Sequence, residues 1–269
     1  AEEEEPAYSR PALSKVISGE LSEDRLFLHD EGFYAENGIN TVFGEKVVRI
    51  YSKDRFVETE GGKRVAYDRL LIAWGGKPII PPINRLGSMD KRLLFTFQNL
   101  SDLRKVHTWL SAKPRIVLLV GGGFINVGLA DALLSAGHQP IIIEAQSHLL
   151  PNSVDAHVGR IVQRYLEGRG SRVFVDCSLT EIGCPGEGCQ VRISDGSWHR
   201  ADGLMLGVGI KPNLEPLQDS GIRTDLGICV DDEMRTNIPD VFAAGDVTQT
   251  DTDQQAVVNP IWPRAVAQG

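Results

Sequence analysis

The stretch VLLVGGGFINVGLADAL, residues 117–133, constrains the fold more than any other part of the chain. An apolar strand, RIVLLV, runs directly into three consecutive glycines and then into a helical pattern. A strand that ends in a glycine turn at the start of a helix is typical of the first βαβ unit of a doubly wound parallel sheet. The stretch therefore predicts an α/β fold.

The spacing of residues around this turn predicts a dinucleotide site. Gly121 permits the tight turn, and Gly123 lets the backbone approach a pyrophosphate that the free amides of the next helix attract, with Phe124 and Ile125 following as further cofactor contacts. The next strand, QPIIIEA, ends in Glu144. A carboxylate there accepts hydrogen bonds from an adenosine ribose 2′-hydroxyl and repels a 2′-phosphate, which favours NADH over NADPH. The alternative is a solvated charge at a strand end.

One position departs from the glycine pattern. The third glycine of such a turn lets helix and strand pack closely, and this chain has Asn126 in its place. The side chain of asparagine adds bulk at that contact. Both a tolerated variation and an altered nucleotide site remain open from the sequence.

Composition limits the classes of partner. The 269 residues carry a formal net charge of −8, and no basic cluster is present to neutralise a nucleic acid backbone. The longest apolar run, around Ile116 to Val120, is too short to cross a bilayer, and the N-terminus AEEEEPAYSR is acidic where a secretory signal is basic and then apolar. We therefore expect a cytoplasmic protein without a nucleic-acid or membrane role.

The spacing of the cysteines is compatible with either a redox-active dithiol or a hairpin loop, and the spacing of the histidines bears on metal binding. Cys184 and Cys189 form a CxxxxC pair, the spacing of a redox-active dithiol in some flavoenzymes. However, Pro185, Gly186 and Gly188 favour a loop between the two strands of a hairpin, LTEIG and QVRISDG. The six histidines have no metal-ligand spacing, so no metal site is predicted.

Local patterns predict further elements along the chain. A strand at Leu70–Ala73 ends in Gly75 and Gly76, which permit close backbone approach, and a helix spans Leu100–Leu110, capped by Asn99 or Ser101. A second helix spans Val154–Gly168, and its predicted packing face consists of Val158, Ile161, Val162, Tyr165 and Leu166. A further strand at Val241–Ala244 ends in Gly245 and Asp246. The last pair places a carboxylate at the edge of a parallel sheet where ligands bind.

The combined motifs resemble a known family. YSRPALSK, YDRLLIAWGG, the glycine turn with Glu144, LMLGVGIKPN and TNIPDVFAAGDV are similar to those of the FAD-dependent pyridine nucleotide-disulfide oxidoreductases, in the branch of NADH-rubredoxin, NADH-ferredoxin and nitrite reductase flavoproteins. The resemblance implies two Rossmann-like domains, with an NAD(P)-binding domain (114–211) inserted into an FAD-binding domain (1–113 and 212–269). It implies electron transfer from NADH through FAD to a small redox protein or other acceptor.

The resemblance also assigns residues. Asp246 would bond the ribityl chain of FAD beside Gly245, and Arg10, Pro11 and Lys15 would lie near the isoalloxazine, with Lys15 as the catalytic cation that stabilises reduced flavin. Gly75 and Gly209, in the YDRLLIAWGG and LMLGVGIKPN motifs, would also contact cofactor. Pro260, Trp262 and Pro263 would lie where the family approaches the flavin.

The departures from the family leave alternatives open. Gly128 stands where the family has a glutamate near the nicotinamide, and Trp74 replaces a small hydroxyl residue. By the resemblance the chain begins after the family's own FAD pyrophosphate turn and ends before its C-terminal interface domain, so we expect a fragment with weakened flavin affinity. A non-catalytic dinucleotide-binding or regulatory module and a thiol oxidoreductase using Cys184 and Cys189 are the alternative functions.

Overall fold

The computed structural model describes residues 1–30, 32–183, 188–252, 255–258 and 261–269. Its helices are α1 (Leu13–Ile17), α2 (Phe33–Glu36), α3 (Leu100–Leu110), α4 (Phe124–Ser135), α5 (Ala156–Gly168) and α6 (Trp262–Gln268). Its strands are β1 (Val47–Tyr51), β2 (Phe56–Thr59), β3 (Arg64–Ala66), β4 (Leu70–Ile72), β5 (Gly76–Pro78), β6 (Leu94–Phe95), β7 (Ile116–Val120), β8 (Gln139–Ile143), β9 (Arg172–Phe174), β10 (Leu179–Gly183), β11 (Cys189–Ile193), β12 (Trp198–Ala201), β13 (Gly203–Leu206), β14 (Ile210–Pro212), β15 (Ile228–Cys229), β16 (Val241–Ala243), β17 (Thr248–Thr252) and β18 (Gln255–Val257). In this part of the chain, no helix has both the length and the apolar character needed to cross a membrane.

The chain divides into two compact units. The first unit comprises Ala1–Tyr8, Leu28–Lys77 and Ile210–Gly269, and the second comprises Ser9–Phe27 and Pro78–Gly209. The second unit therefore interrupts the first in sequence. This partition places Ser9–Phe27 and the residues from Pro78 onwards with the central segment, whereas the sequence-based division begins the central domain at residue 114. The assignment of the segments to FAD and NAD(P) domains stays a prediction.

The second unit is built on a five-stranded sheet in the order β6-β13-β7-β8-β9, whose strands all run parallel. Helix α4 connects β7 to β8, and α5 lies between β8 and β9. The central strands are apolar along their whole length, since both faces of such a sheet are covered. Val117, Leu118 and Leu119 are fully buried, as are Leu204 and Met205. This arrangement confirms the predicted α/β class.

Two smaller predictions in the second unit are also confirmed. Helix α3 begins at Leu100, and the Asn99 side chain caps it by accepting a hydrogen bond from the Asp102 amide at 2.8 Å. Strands β10, β11 and β12 form an antiparallel sheet, with β10 ending at Gly183 and β11 beginning at Cys189. The predicted hairpin therefore exists. Residues 184–187 of its loop, including Cys184, lie outside the described residues.

The predicted packing face of α5 is wrong for three of its five residues. Val158, Ile161 and Tyr165 are 39%, 46% and 55% exposed, and only Leu166 of the predicted face is buried. The helix packs instead through Gly159, where a Cβ would lie 2.6 Å from His148 Cδ2 and from the Leu149 carbonyl oxygen. This close approach at a residue without a side chain determines which side of the helix faces inward.

The first unit contains several small sheets. Strands β1, β2 and β3 form an antiparallel sheet, β4 pairs with β16 in parallel, β5 pairs with β14, and β17 pairs with β15 and β18. A hydrophobic core forms around Ile72 of β4 and Val241 and Ala243 of β16. The predicted strands at 70–73 and 241–244 are both present, each one residue shorter than expected.

Candidate functional site

The carboxyl ends of three parallel strands in the second unit meet at the glycine turn. The Gly121 amide, just past β7, donates to the Ile143 carbonyl at the end of β8 at 2.8 Å. The Gly207 amide, just past β13, donates to the Val120 carbonyl at 2.9 Å. Ligands of open parallel sheets bind at this edge. The turn is therefore placed where a dinucleotide site is expected.

The fold requires glycine at one outer position of the turn but not at the other. Gly121 has φ +96°, and a Cβ there would lie 2.5 Å from the Gly207 carbonyl oxygen. Gly123 has an ordinary φ of −78°, and a Cβ there would meet nothing within 4 Å. The fold itself requires glycine at 121. At 123 the fold leaves open space, into which a ligand could come close to the backbone.

Helix α4 begins at this turn with unused backbone donors. The Val127 amide makes the first helical bond, to the Gly123 carbonyl at 2.9 Å, and Gly123 provides no side-chain cap. The amides before Val127 therefore lack acceptors within the helix and can attract an anion. Phe124 and Ile125 are 57% and 43% exposed at this end. Their predicted contact with cofactor is compatible with this exposure and stays a prediction.

Glu144 is not the solvated charge that the alternative interpretation expected. It is 7% exposed, and its Oε2 accepts a hydrogen bond from the Gly122 amide at 2.6 Å while Oε1 accepts one from the Gln146 amide at 2.7 Å. The carboxylate thus lies against the glycine turn. A carboxylate oxygen can accept more than one hydrogen bond, so these two bonds leave capacity for ribose hydroxyls.

Gly122 is a site residue that sequence reasoning missed. Besides donating to Glu144, it accepts a hydrogen bond from the Leu150 amide at 2.8 Å, and a Cβ at 122 would lie 2.7 Å from Leu149 Cδ2. Leu150 reaches this position with φ +57°. No local sequence pattern predicts a leucine in the left-handed region. The glycine triplet is therefore the one sequence feature that could have indicated the contact between Gly122 and Leu150.

Asn126 is buried and bonded rather than merely accommodated. Its Nδ2 donates to the Val120 carbonyl at 2.9 Å and to the Gly121 carbonyl at 2.8 Å, and the residue is 0% exposed. Space for it comes from Gly207, because a Cβ there would lie 2.6 Å from the Asn126 amide group. The third position of the turn therefore ties the helix to the strand end through hydrogen bonds.

Arg10, Pro11 and Lys15, the residues predicted to lie near the flavin, belong to Ser9–Phe27, the N-terminal segment of the second unit. Arg10 and Pro11 form a short 3₁₀ turn before α1, and Arg10 Nη1 donates to the Gln98 carbonyl at 3.3 Å. Lys15 is exposed in the last turn of α1. Helix α1 packs on α4, where Ser14 Oγ lies 3.7 Å from the Cβ position of Gly128. The roles of Arg10, Pro11 and Lys15 toward flavin stay predictions.

Gly209 and Cys189 of the second unit have environments that bear on their predicted roles. Gly209 has φ +117°, and its carbonyl accepts from the Ile79 amide at 3.0 Å. Cys189 is buried in the hydrophobic core, an environment that disfavours a reactive thiolate. Pro260, like Cys184, lies outside the described residues. No group of three or more potential metal ligands occurs in the described part of the chain.

In the first unit, Gly75, Gly245 and Asp246 lie beyond the ends of two paired parallel strands. The Ala244 amide, just past β16, donates to the Ile72 carbonyl at the end of β4 at 3.0 Å. Gly75 and Gly245 have φ +69° and +78°. The structure thus brings both segments to one sheet edge, as the sequence predicted for Asp246.

The Trp74 departure is accommodated within the same unit. Its indole Nε1 donates to the Asn213 carbonyl at 2.8 Å, and its ring packs against the core around β4 and β16. Gly76, two residues on, needs its small size because a Cβ there would lie 2.6 Å from the Lys211 carbonyl oxygen. Trp74 therefore anchors the strand exit to the segment around Asn213.

Comparison with known proteins gives consistent matches along nearly the whole chain. The chain is 30% identical over 265 residues to a nitrite reductase [NAD(P)H] of Bacillus subtilis (strain 168), which covers 98% of this chain and 32% of that protein. It is 28% identical to a rubredoxin-NAD(+) reductase of Pseudomonas putida, covering 89% of this chain and 62% of the relative. The chain therefore spans less than two thirds of the length of these relatives.

Solved structures share the fold. The putidaredoxin reductase in its covalent complex with putidaredoxin superposes with a TM-score of 0.90 at 22% identity, covering 99% of this chain and 65% of that one. The sequence profile of the pyridine nucleotide-disulphide oxidoreductases matches residues 1–269. The parallel sheet, the glycine turn and this match together place the chain in the pyridine nucleotide-disulphide oxidoreductase family.

Proposed function

We propose that this chain belongs to an FAD-dependent NADH oxidoreductase that passes electrons to a small redox protein or another acceptor. The observation that carries the proposal is the glycine turn with Glu144 held against it at the carboxyl edge of the parallel sheet. The names of the relatives, a nitrite reductase [NAD(P)H] and a rubredoxin-NAD(+) reductase, support the same class of reaction.

The residues present fit a dinucleotide. The open space beside Gly123 and the free amides at the start of α4 suit a pyrophosphate, and Glu144 suits the adenosine ribose. The buried carboxylate would repel a 2′-phosphate, so NADH is the preferred substrate. Phe124 and Ile125 would cover the bound nucleotide from the solvent side.

Residues of the first unit at the ends of β4 and β16 suit FAD. Asp246, at the edge where β4 and β16 end, would accept hydrogen bonds from the ribityl chain, and Gly75 and Gly245 allow close backbone passage. Lys15 would supply positive charge for the reduced flavin. When bound, NADH would supply a hydride, and FAD would accept it and pass electrons on singly or in pairs.

The test is a visible absorption spectrum of the protein after incubation with excess FAD and desalting, followed by anaerobic addition of NADH. We expect retained yellow flavin that NADH bleaches, with NADPH much slower. A protein that retains flavin yet binds neither nucleotide would contradict the proposal.

The spectrum also separates the alternatives. Binding of NADH by a colourless protein would favour the non-catalytic module, which the Asn126 and Gly128 departures motivate. The thiol hypothesis predicts loss of activity when Cys184 and Cys189 are replaced by serine. We further propose a cytoplasmic location, which the free thiols of Cys177 and Cys229 support because such compartments keep thiols reduced.

A further inference from the structure

Asn126 holds two backbone carbonyls that belong to the glycine turn. Both hydrogens of its side-chain amide are used, one on Val120 at the end of β7 and one on Gly121 at the turn itself. These two carbonyls therefore cannot rotate without breaking a buried hydrogen bond. The N–H groups of the same two peptide units donate to the Ile143 carbonyl and to Glu144, so these units are held from both sides where the chain enters the proposed pyrophosphate site.

The orientation of the amide follows from its neighbours. If nitrogen and oxygen were exchanged, Oδ1 would face two carbonyl oxygens and neither contact could be a hydrogen bond. With Nδ2 placed there, Oδ1 has no partner among the residues that the structure describes. An unpaired buried acceptor is unfavourable, so the two donated bonds must outweigh it for this side chain to remain buried.

Gly207 supplies the surface on which this amide rests. A Cβ at 207 would lie 2.6 Å from each of Asn126 Cγ, Nδ2 and Oδ1, so the plane of the amide faces the Gly207 Cα. Even the smallest side chain at 207 would collide with a group that is fully buried and hydrogen-bonded. The large residue at 126 thus requires glycine at 207.

We propose that Asn126 is a positioning residue for the dinucleotide turn and that Gly207 is its obligatory partner. A glycine at the third position of such a turn keeps side-chain bulk out of the helix–strand contact. Here the Asn126 side chain is accommodated because Gly207, just past β13, leaves space for it. As a result, the Val120 and Gly121 carbonyls at the start of the turn accept hydrogen bonds from a side chain of α4. The proposal deepens the proposed function, since the turn it positions is the NADH site.

The first arm of the experiment measures unfolding by denaturant for Asn126→Gly, Gly207→Ala and the double variant. Gly207→Ala should be strongly destabilised by the collision, and Asn126→Gly by a buried void and two lost hydrogen bonds. The double variant should be more stable than the sum of the two effects predicts, because the methyl group added at position 207 would occupy the vacated space. Additive effects would overturn the pairing.

The second arm measures NADH affinity of Asn126→Asp at a temperature where circular dichroism shows the variant to be folded. This isosteric change removes both donated bonds, and we expect the NADH dissociation constant to rise about tenfold. Asn37→Asp is the matched control, since Asn37 is exposed and its Nδ2 donates to the Phe33 carbonyl at 2.8 Å. That control should bind NADH as the wild type does.

The outcomes are distinguishable. A folded Asn126→Asp protein with wild-type NADH affinity would show a merely structural role and overturn the positioning assignment. A wild-type protein that does not bind NADH would contradict the proposed function and the positioning role together. The unfolding measurements on the two single variants and the double variant would still report whether residues 126 and 207 are coupled.

Discussion

The Glu144 carboxylate accepts a hydrogen bond from the Gly122 amide at 2.6 Å, which joins the end of β8 to the glycine turn that follows β7. Its other oxygen accepts from the Gln146 amide at 2.7 Å. One buried side chain therefore shapes both the turn and the loop that follows β8. The same side chain is the one proposed to select NADH, so stability and selectivity are linked at this position.

Replacing Glu144 by glutamine tests that link. The variant keeps the shape but turns an acceptor into a donor that faces a backbone amide, and we expect a loss of about 1–3 kcal/mol in the free energy of unfolding. Removal of the negative charge should also reduce the preference for NADH over NADPH in binding titrations. The control is Glu20→Gln on the exposed surface. Unchanged stability and unchanged preference in Glu144→Gln would contradict the assigned role.

Alanine at the two outer glycines of the turn should separate folding from binding. Gly121→Ala places a methyl group 2.5 Å from the Gly207 carbonyl oxygen at φ +96°, so we expect a protein that unfolds readily. Gly123→Ala meets nothing within 4 Å, so its melting temperature should stay near that of the wild type. Its NADH affinity should nevertheless fall, because the methyl group would occupy the space proposed for the pyrophosphate. Wild-type NADH affinity in Gly123→Ala would place the nucleotide elsewhere.

Gly128 on α4 should tolerate alanine. A Cβ there would lie at an ordinary contact distance of 3.7 Å from Ser14 Oγ. Because glycine in a helix interior is costly, Gly128→Ala should stabilise the protein by about 0.5–1 kcal/mol in denaturant unfolding. Gly137→Ala is the contrast, since that site is equally open but has φ +80°, and it should be destabilised. If both variants were destabilised, the contact between α1 and α4 could not accommodate a methyl group at position 128.

Stability should depend on the protonation of His138. Burial, with the nearby Arg115 charge, lowers the pKa of His138 below its ordinary value of 6.5. Its Nδ1 accepts from the Arg115 amide at 3.1 Å, which requires the unprotonated ring nitrogen. The unfolded chain therefore takes up a proton more readily than the folded one, so this contribution is complete above pH 6.5 and is lost as the pH falls below that value.

The check is the free energy of unfolding of His138→Asn between neutral and mildly acidic pH. Asparagine keeps an acceptor without titrating, so the variant should lose less stability than the wild type on acidification. Some dependence should remain, because burial also lowers the pKa of His199. The exposed His107→Gln variant should behave as the wild type. Identical pH profiles for His138→Asn and wild type would exclude this mechanism.

Much of the second unit was predictable because its signals are local. An apolar strand running into glycines, a helix capped by Asn99 and a hairpin between β10 and β11 each depend on residues close in sequence, and all are present. The same applies to Glu144, whose position after β8 follows from the strand that precedes it. Local propensity and periodicity determine these features before any distant contact forms.

Only the tertiary structure decided what the departures mean. Asn126 looks like a defect beside its sequence neighbours, and it becomes a buried, bonded residue only because Gly207 on a distant part of the chain leaves room for it. The outward side of α5 was likewise decided by Gly159 meeting the loop around His148, which leaves Val158, Ile161 and Tyr165 exposed although the helical pattern predicted them to pack inward. Sequence periodicity identifies an apolar face, but close packing between distant residues determines which face is covered.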